Sequence, residues 1–376
     1  MGIEIDDEWA AELAEQERDR QRKAEPPPEL GEGEFLAWRS PRTDAGGPTS
    51  LDNPLWHWLV RSRHSAYSAN QEFAGPSSFE AGPMWCFDRY GRSETALPDG
   101  RVVHVAGEHE DHYDPDFFIY NDVVIVDVDG RISIHGYGHD VFPPTDFHSA
   151  TLVNKALYII GNLGHSAQRI VGKTPVFRID IETLVITEMP SHGDAPGWIS
   201  RHSAELDADM RSIIVSGGEV MTAEGRSFQE NLDRWSFDLE SARWTRLTAL
   251  DWQRWTMLRV DRKPNRLWDT RHERWLEKHA HLGLESGWRF EEPPDFDALD
   301  RLYRPDEDSP PVEEGIGHEV YIAVVDGVRV RFTEDRWLVH AIVEGRLGDD
   351  RLKELQQATL TTLGRLDASV WEIEAQ

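Results

Sequence analysis

The chain has 376 residues, a formal net charge of -29, fifteen Trp and one Cys. At roughly 150 residues per domain this length suits two or three domains, or one large β domain with appendages. Sixty-nine acidic residues against forty basic ones exclude a non-specific nucleic-acid binder and a protein that docks on anionic lipid, and a single Cys excludes a disulfide framework or a four-cysteine zinc site.

The N-terminal MGIEIDDEWAAELAEQERDRQRK lacks a signal-peptide core, and no run of about 20 apolar residues follows, so a cytoplasmic protein is expected. Residues 1–52 read as a charged arm and linker, because AEPPPELGEGEF and PRTDAGGPTS are rich in Pro, Gly and Ser. Phe35 and Trp38 stand isolated inside it, as incidental residues or as a short docking segment. From about 85 to 250 the texture changes to short apolar runs such as RVVHVAGE, ALYIIGN and RSIIVSGGE, broken by Gly, Asp and Pro. That is an all-β pattern, and we assign residues 53–260 to it.

These runs superpose with a period of 53 to 58 residues. Ser93, Ser149 and Ser203 open equivalent strands. Gly107, Gly161 and the Gly217-Gly218 pair end the next strand, where a Cβ would hinder close backbone approach. Asp127, Asp180 and Asp238 close a third strand and are placed to bond turn amides. Ile134, Ile186 and Trp244 follow six or seven residues later and fill the space between adjacent sheets. A small sheet of this kind cannot cover both its faces, so neighbours must stack.

The pattern resembles the kelch repeat of β-propellers, whose blades carry Gly-Gly after one strand and a Tyr and a Trp around the next turn. The third unit matches best, through Gly217, Gly218, Trp235, Asp238 and Trp244. In the first two units Val124 and Phe177 stand at the first aromatic position and Ile134 and Ile186 at the second. The resemblance covers about 160 residues. It implies a mainly β fold, either a kelch-like β-propeller or a partial stack of four-stranded sheets. Propellers close with four to eight blades, and three are recognisable.

Trp268, His272, Trp275, His279 and Leu282 recur every three or four residues. They predict an amphipathic helix within a Trp-rich capping region, 261–302, whose aromatic face covers a sheet or caps the end of the stack or, as the sharper alternative, forms a peptide groove. Residues 303–317 read as an acidic linker. Residues 318–376 form a small C-terminal α/β domain: a hairpin around Asp326-Gly327, a third strand, a helix over 349–366 and a last strand.

Several groups carry candidate chemistry. AGEHEDHYDPDF places His109, Glu110, Asp111, His112, Asp114 and Asp116 on one loop. His109, His112 and Asp114 are candidate ligands of a divalent metal, with His139 or His148 as further donors, and an acidic solvated insertion is the plainer reading. His148 and His202 precede Ser149 and Ser203 in repeat register, and His64 precedes Ser65. They predict contacts between neighbouring sheets or a lining for a central channel. A Ser–His catalytic pair is excluded there, because adjacent residues on a strand point to opposite faces. The loops PPTDFHS and HGDAPGWISRHS expose Asp146, His192, Asp194, Trp198 and Arg201 on one rim, where Trp198 beside Arg201 suits a protein contact. The plainer alternative packs Trp198 underneath. Cys86 reads as a buried small hydrophobe.

The leading expectation is a non-catalytic protein-binding module that presents rim loops to a protein partner, for which the charge favours a basic one, with no cofactor. The alternatives are a metal-dependent hydrolase or isomerase acting in the channel, a bacterial immunity or antitoxin protein masking a basic toxin, and an architectural subunit.

Overall fold

The computed structural model describes residues 7–42, 46–111, 114–222, 228–283, 293–306, 308–315 and 319–374. Its helices are α1 (Asp7–Lys23), α2 (Glu32–Trp38), α3 (Pro54–Ser62), α4 (Ala66–Glu72), α5 (Ser78–Ala81), α6 (Leu267–Lys278), α7 (Phe296–Arg301) and α8 (Asp349–Asp367). The fold is mainly β, with several antiparallel sheets, none of them closed. None of the described helices is long and apolar enough to cross a membrane. Two compact units divide the chain, residues 1–249 and 250–376.

In the first unit each repeat becomes one sheet. The first sheet runs Thr49–Ser50, Ile132–Gly136, Val123–Val126, Val102–Val105, Ser93–Ala96 in spatial order. The second runs Ile186–Glu188, Val176–Asp180, Ala156–Ile160, Ser149–Val153. The third runs His192–Gly193, Arg243–Arg246, Trp235–Asp238, Ser212–Ser216, Ser203–Leu206, and only His192–Gly193 pairs in parallel. The alternation of side chains along a strand sorts them between cores. Val103, Val105, Val123 and Ile125 of the first sheet share a core with Leu157, Ile159, Phe177 and Ile179 of the second. Tyr158, Ile160 and Val176 turn the other way, onto Ile213, Val215, Trp235 and Phe237 of the third. Both faces of the second sheet are therefore covered, and Ala156–Ile160 is buried at every position.

The stack has two different ends. Beyond the first sheet, Val124 and Ile134 pack against α3 residues Leu55, Trp56 and Leu59 and against Trp85. Asn53 accepts the Trp56 amide hydrogen at 2.8 Å and caps α3, and the Trp56 and Trp85 rings stack at 4.5 Å. Phe35, only 2% exposed, belongs to this core, and Thr49–Ser50 adds a strand to the first sheet. The segment read as a linker is thus docked, because its isolated aromatics supply apolar area. At the other end, the outward face of the third sheet carries Ser212, Ile214, Ser216, Ser236 and Thr245. It is polar, as a terminal face must be.

The repeat landmarks have the geometry that their chemistry predicts. Gly161 and Gly218 both have φ of +77°. A Cβ would lie 2.4 Å from the Ile199 carbonyl oxygen in one case and 2.4 Å from that of Ser200 in the other. Asp180 Oδ1 accepts from the Thr183 amide at 3.0 Å, and Asp238 Oδ1 from the Ser241 amide at 2.7 Å. Ile134 and Trp244 are fully buried and Ile186 nearly so.

The second unit is built on a six-stranded antiparallel sheet: Glu313–Glu314, Val320–Val325, Val328–Glu334, Leu338–Val343, Arg254–Arg259, Trp371–Ile373. Asp326 and Gly327, with φ of 51° and 79°, form the two-residue hairpin turn. Leu355, Thr359 and Leu363 of α8 are buried in register. Two boundaries differ from the sequence reading. Arg254–Arg259 pairs with Leu338–Val343 and Trp371–Ile373, so the repeat domain ends before 250. Residues 303–315 are not a linker: Tyr303 is 1% exposed and Glu313–Glu314 forms the sheet edge.

Candidate functional site

The first-unit candidates separate into buried and exposed sets. Trp198 is 5% exposed, and its indole N–H donates to the Leu163 carbonyl at 3.2 Å. Asp146 is 2% exposed and accepts the Gly164 amide hydrogen at 2.6 Å. Neither is a rim contact, because both fasten loops from beneath. His192 and Asp194 are exposed. Arg201 is exposed as well, but its guanidinium covers the Phe147 ring at 3.9 Å and lies 3.6 Å from Glu219. A shared rim of all five residues does not form.

The repeat histidines hold sheets together. His148 Nε2 lies 2.8 Å from Ser93 Oγ, and His202 Nε2 lies 2.8 Å from Ser149 Oγ. Each imidazole thus bonds the hydroxyl that opens the preceding repeat. Burial pushes His148 down to about 3 and His202 to about 4, so both are neutral at pH 7. They line no open channel, since each is 8% exposed. His64 falls outside the series. Its ring stacks on Trp58 at 4.6 Å, and Ser65 caps α4 by accepting the Ser68 amide hydrogen.

The proposed metal loop is distributed differently. His112 lies outside the described residues, as does the side chain of Asp114. His109 Nε2 sits 3.1 Å from Asp116 Oδ2, an ion-pair separation without hydrogen-bond alignment. His139 is exposed and stands apart from His148, which is engaged with Ser93. Among the described residues, no group of three or more His, Cys, Asp or Glu side chains is arranged to hold a metal ion. Burial opposes protonation of His109, but the neighbouring Cys86 and the Asp116 carboxylate hold it up at about 9. Thiol, imidazole and carboxylate thus converge, a set that sequence reasoning missed because Cys86 lies 23 residues before His109. Cys86 is fully buried and its Sγ donates to the Asp88 carbonyl at 3.2 Å, so a substrate has no approach to the sulfur.

The most developed site lies in the second unit. A cavity of about 430 Å³ opens between α6, α7 and the Glu313–Glu314 edge. Its base is a buried polar network. Arg271 Nε and Nη2 donate to the two Glu334 oxygens at 2.8 and 2.6 Å. The Tyr303 hydroxyl donates to the same carboxylate at 2.6 Å. The guanidinium lies 3.6 Å from the Tyr321 ring, and Tyr303 stacks on Phe332 at 4.0 Å. Burial and the Glu334 charge raise Tyr303 well above the usual phenol range, and burial pushes Tyr321 to about 12. Burial works against the Arg271 charge, yet the bonds and charge of Glu334 keep it firmly protonated. Bidentate pairing of this kind fixes a side chain in one geometry. Leu299, Leu302 and Val312 supply an apolar wall, and Arg274, Lys278 and Arg304 add cationic side chains.

Beside the cavity runs an aromatic ladder. Trp268 stacks on His272 at 5.1 Å, His272 on Trp275 at 6.3 Å, and Trp275 on His279 at 4.4 Å. The sequence predicts this helix face correctly, but the face does not cover a sheet. The buried residues of α6 are Leu267 and Thr270, while Trp268 and Trp275 are 51% and 43% exposed. Leu282, the last member of the predicted stripe, has its side chain outside the described set. Asn265 bonds the backbone of Asp335 and Arg336, which brings a further exposed indole, Trp337, to the start of α6.

No protein-family model matches the sequence, and no curated protein matches it. Among solved structures, one titled "Structure of YjhT" aligns with 44% of this chain and 53% of its own, at 13% identity and a TM-score of 0.29. The chain spans about half the length of that structure, and a likeness at this level carries no argument about fold or activity.

Proposed function

We propose that the chain is a non-catalytic protein-binding module, with a kelch-like partial stack as scaffold and the α6 face of the second unit as contact surface. The observation that carries this reading is the exposed ladder of Trp268, His272, Trp275 and His279, with Trp337 nearby. Indoles exposed on a rigid helix withhold apolar area from the core, and such clusters are typical contact anchors. The Arg271–Glu334–Tyr303 network supports the same reading, because it holds the adjacent cavity wall in place before any partner arrives. The three-sheet stack and its histidine–serine contacts support a kelch-like scaffold. The formal charge of -29 favours approach of a basic partner over long distances, while the site itself is locally cationic.

The test is affinity capture from the cells of origin with the whole chain and with a Trp268→Ala, Trp275→Ala, Trp337→Ala variant. One stoichiometric polypeptide, retained by the parent and by a Ser236→Lys control but lost by the triple variant, is the expected result. An identical set of captured proteins for parent and triple variant overturns the reading.

A further inference from the structure

The cavity beside the ladder has two chemically different walls. The apolar one is formed by Leu299, Leu302 and Val312. The cationic one belongs to α6. Arg271 spends Nε and Nη2 on Glu334, and among the described residues no acceptor takes Nη1. Lys278 follows two helical turns later, exposed and without an ion-pair partner among the described residues. Of the two acids at the cavity, Asp300 is held by Arg274 at 2.8 Å, and Glu314 lies on the exposed sheet edge. A spare guanidinium donor of Arg271 and the Lys278 ammonium therefore stand opposite an apolar surface, with the Glu314 carboxylate at the edge.

A ligand that satisfies both walls carries an anionic group directly beside an apolar one, and among polypeptide groups the anion is a carboxylate. Asp and Glu side chains do not, since their carboxylate stands in place of the apolar group. The last residue of a polypeptide does, because its α-carboxylate is one bond from the Cα that bears the side chain. The third boundary of the cavity selects a peptide over a small organic acid. Among the described residues, Glu313–Glu314 is the edge of the six-stranded sheet, paired only with Tyr321 and Ile322. An edge strand offers backbone groups to an extended chain.

We infer that this cavity captures the C-terminus of the partner polypeptide, with an apolar last side chain against Leu299, Leu302 and Val312 and the terminal carboxylate against Arg271 and Lys278. The inference rests on the protein-binding reading and names the part of the partner that enters the site. A partner that is basic overall still ends in one carboxylate, so the long-range and local charges do not conflict.

The test uses the whole chain and acetyl-Ala-Ala-Leu-Leu in two forms, free acid and C-terminal amide, with binding followed by tryptophan fluorescence and calorimetry. A charge-assisted hydrogen bond predicts that the acid binds about tenfold more tightly than the amide. Lys278→Gln removes most of that difference while leaving the unfolding transition unchanged, and the Ser236→Lys control leaves the difference intact. Equal affinities for acid and amide, or binding of neither at millimolar concentration, overturn the inference. The two ideas fail separately. If both peptide forms bind equally and the triple tryptophan variant loses its partner, the module stands and the carboxylate is wrong. If the acid is preferred but the tryptophans do not matter to capture, the cavity stands and the module is wrong.

Discussion

His202 Nε2 and Ser149 Oγ, 53 residues apart in sequence, meet at 2.8 Å, and the contact repeats one sheet earlier between His148 and Ser93. Each bond joins the opening strand of one repeat to that of the next, so the repeat unit carries its own connector.

The connector makes stability depend on acid. Burial lowers both histidines, to about 3 and about 4, whereas the unfolded chain titrates near the ordinary value of about 6.5. The unfolded state therefore binds more protons between these limits. Stability is full above about pH 6.5 and falls as pH drops towards the folded values, by about 1.4 kcal/mol per pH unit for each histidine. Urea unfolding at pH 7 and pH 5 measures this. In the His148→Gln, His202→Gln variant the pH dependence flattens, although a few kcal/mol of stability is lost at neutral pH.

Two glycines separate strain from crowding. Gly161 and Gly130 share a positive φ, but a Cβ at Gly161 meets the Ile199 oxygen at 2.4 Å, whereas at Gly130 nothing lies within 4 Å. Gly130→Ala should lose about 1–2 kcal/mol from the left-handed backbone alone. Gly161→Ala should lose clearly more, measured by chemical denaturation of both variants. Equal losses would mean that the Ile199 segment moves away from the end of the second sheet without penalty.

Replacing Glu334 with Gln leaves Arg271 charged and half-satisfied above the core of the second unit. A loss of about 3 kcal/mol is expected for this unit. The double replacement Arg271→Met, Glu334→Met should recover part of it, since no unpaired charge remains. Denaturation followed by circular dichroism separates the outcomes, and a double variant weaker than Glu334→Gln contradicts the account.

Cys86 gives a direct probe of the first unit. With no exposure, it should resist a thiol reagent at pH 8 in the native protein and react fully in denaturant. Its labelling rate then reports opening of the core formed by α3 and the first sheet.

The sequence made the β scaffold legible because its signals are local and periodic. Ser93, Ser149 and Ser203 recur in phase, and Asp326-Gly327 announces its own turn. Residues with a local reason to look exposed left two readings open. Trp198 follows Pro196-Gly197 in a loop, which suits a rim contact or packing underneath, and the bond to Leu163 decides for the second. The aromatic stripe of α6 was visible at its spacing of three and four, but amphipathicity states that a face is apolar and not what covers it. Arg271 and Glu334, 63 residues apart, belong to no motif. Their partnership comes from a helix and a sheet edge meeting, which a one-dimensional pattern does not record.

Among the described residues Ser203 opens the last repeat without a histidine to receive, and Arg92 occupies the corresponding place before Ser93, donating to the Phe87 carbonyl and lying over its ring at 4.3 Å. The series thus has unlike end groups, as a short oligomer does, with an initiator at one terminus and an unreacted hydroxyl at the other. A duplicated repeat inserted after Ser203 would arrive with the imidazole already in register, so the scaffold can lengthen at one terminus only.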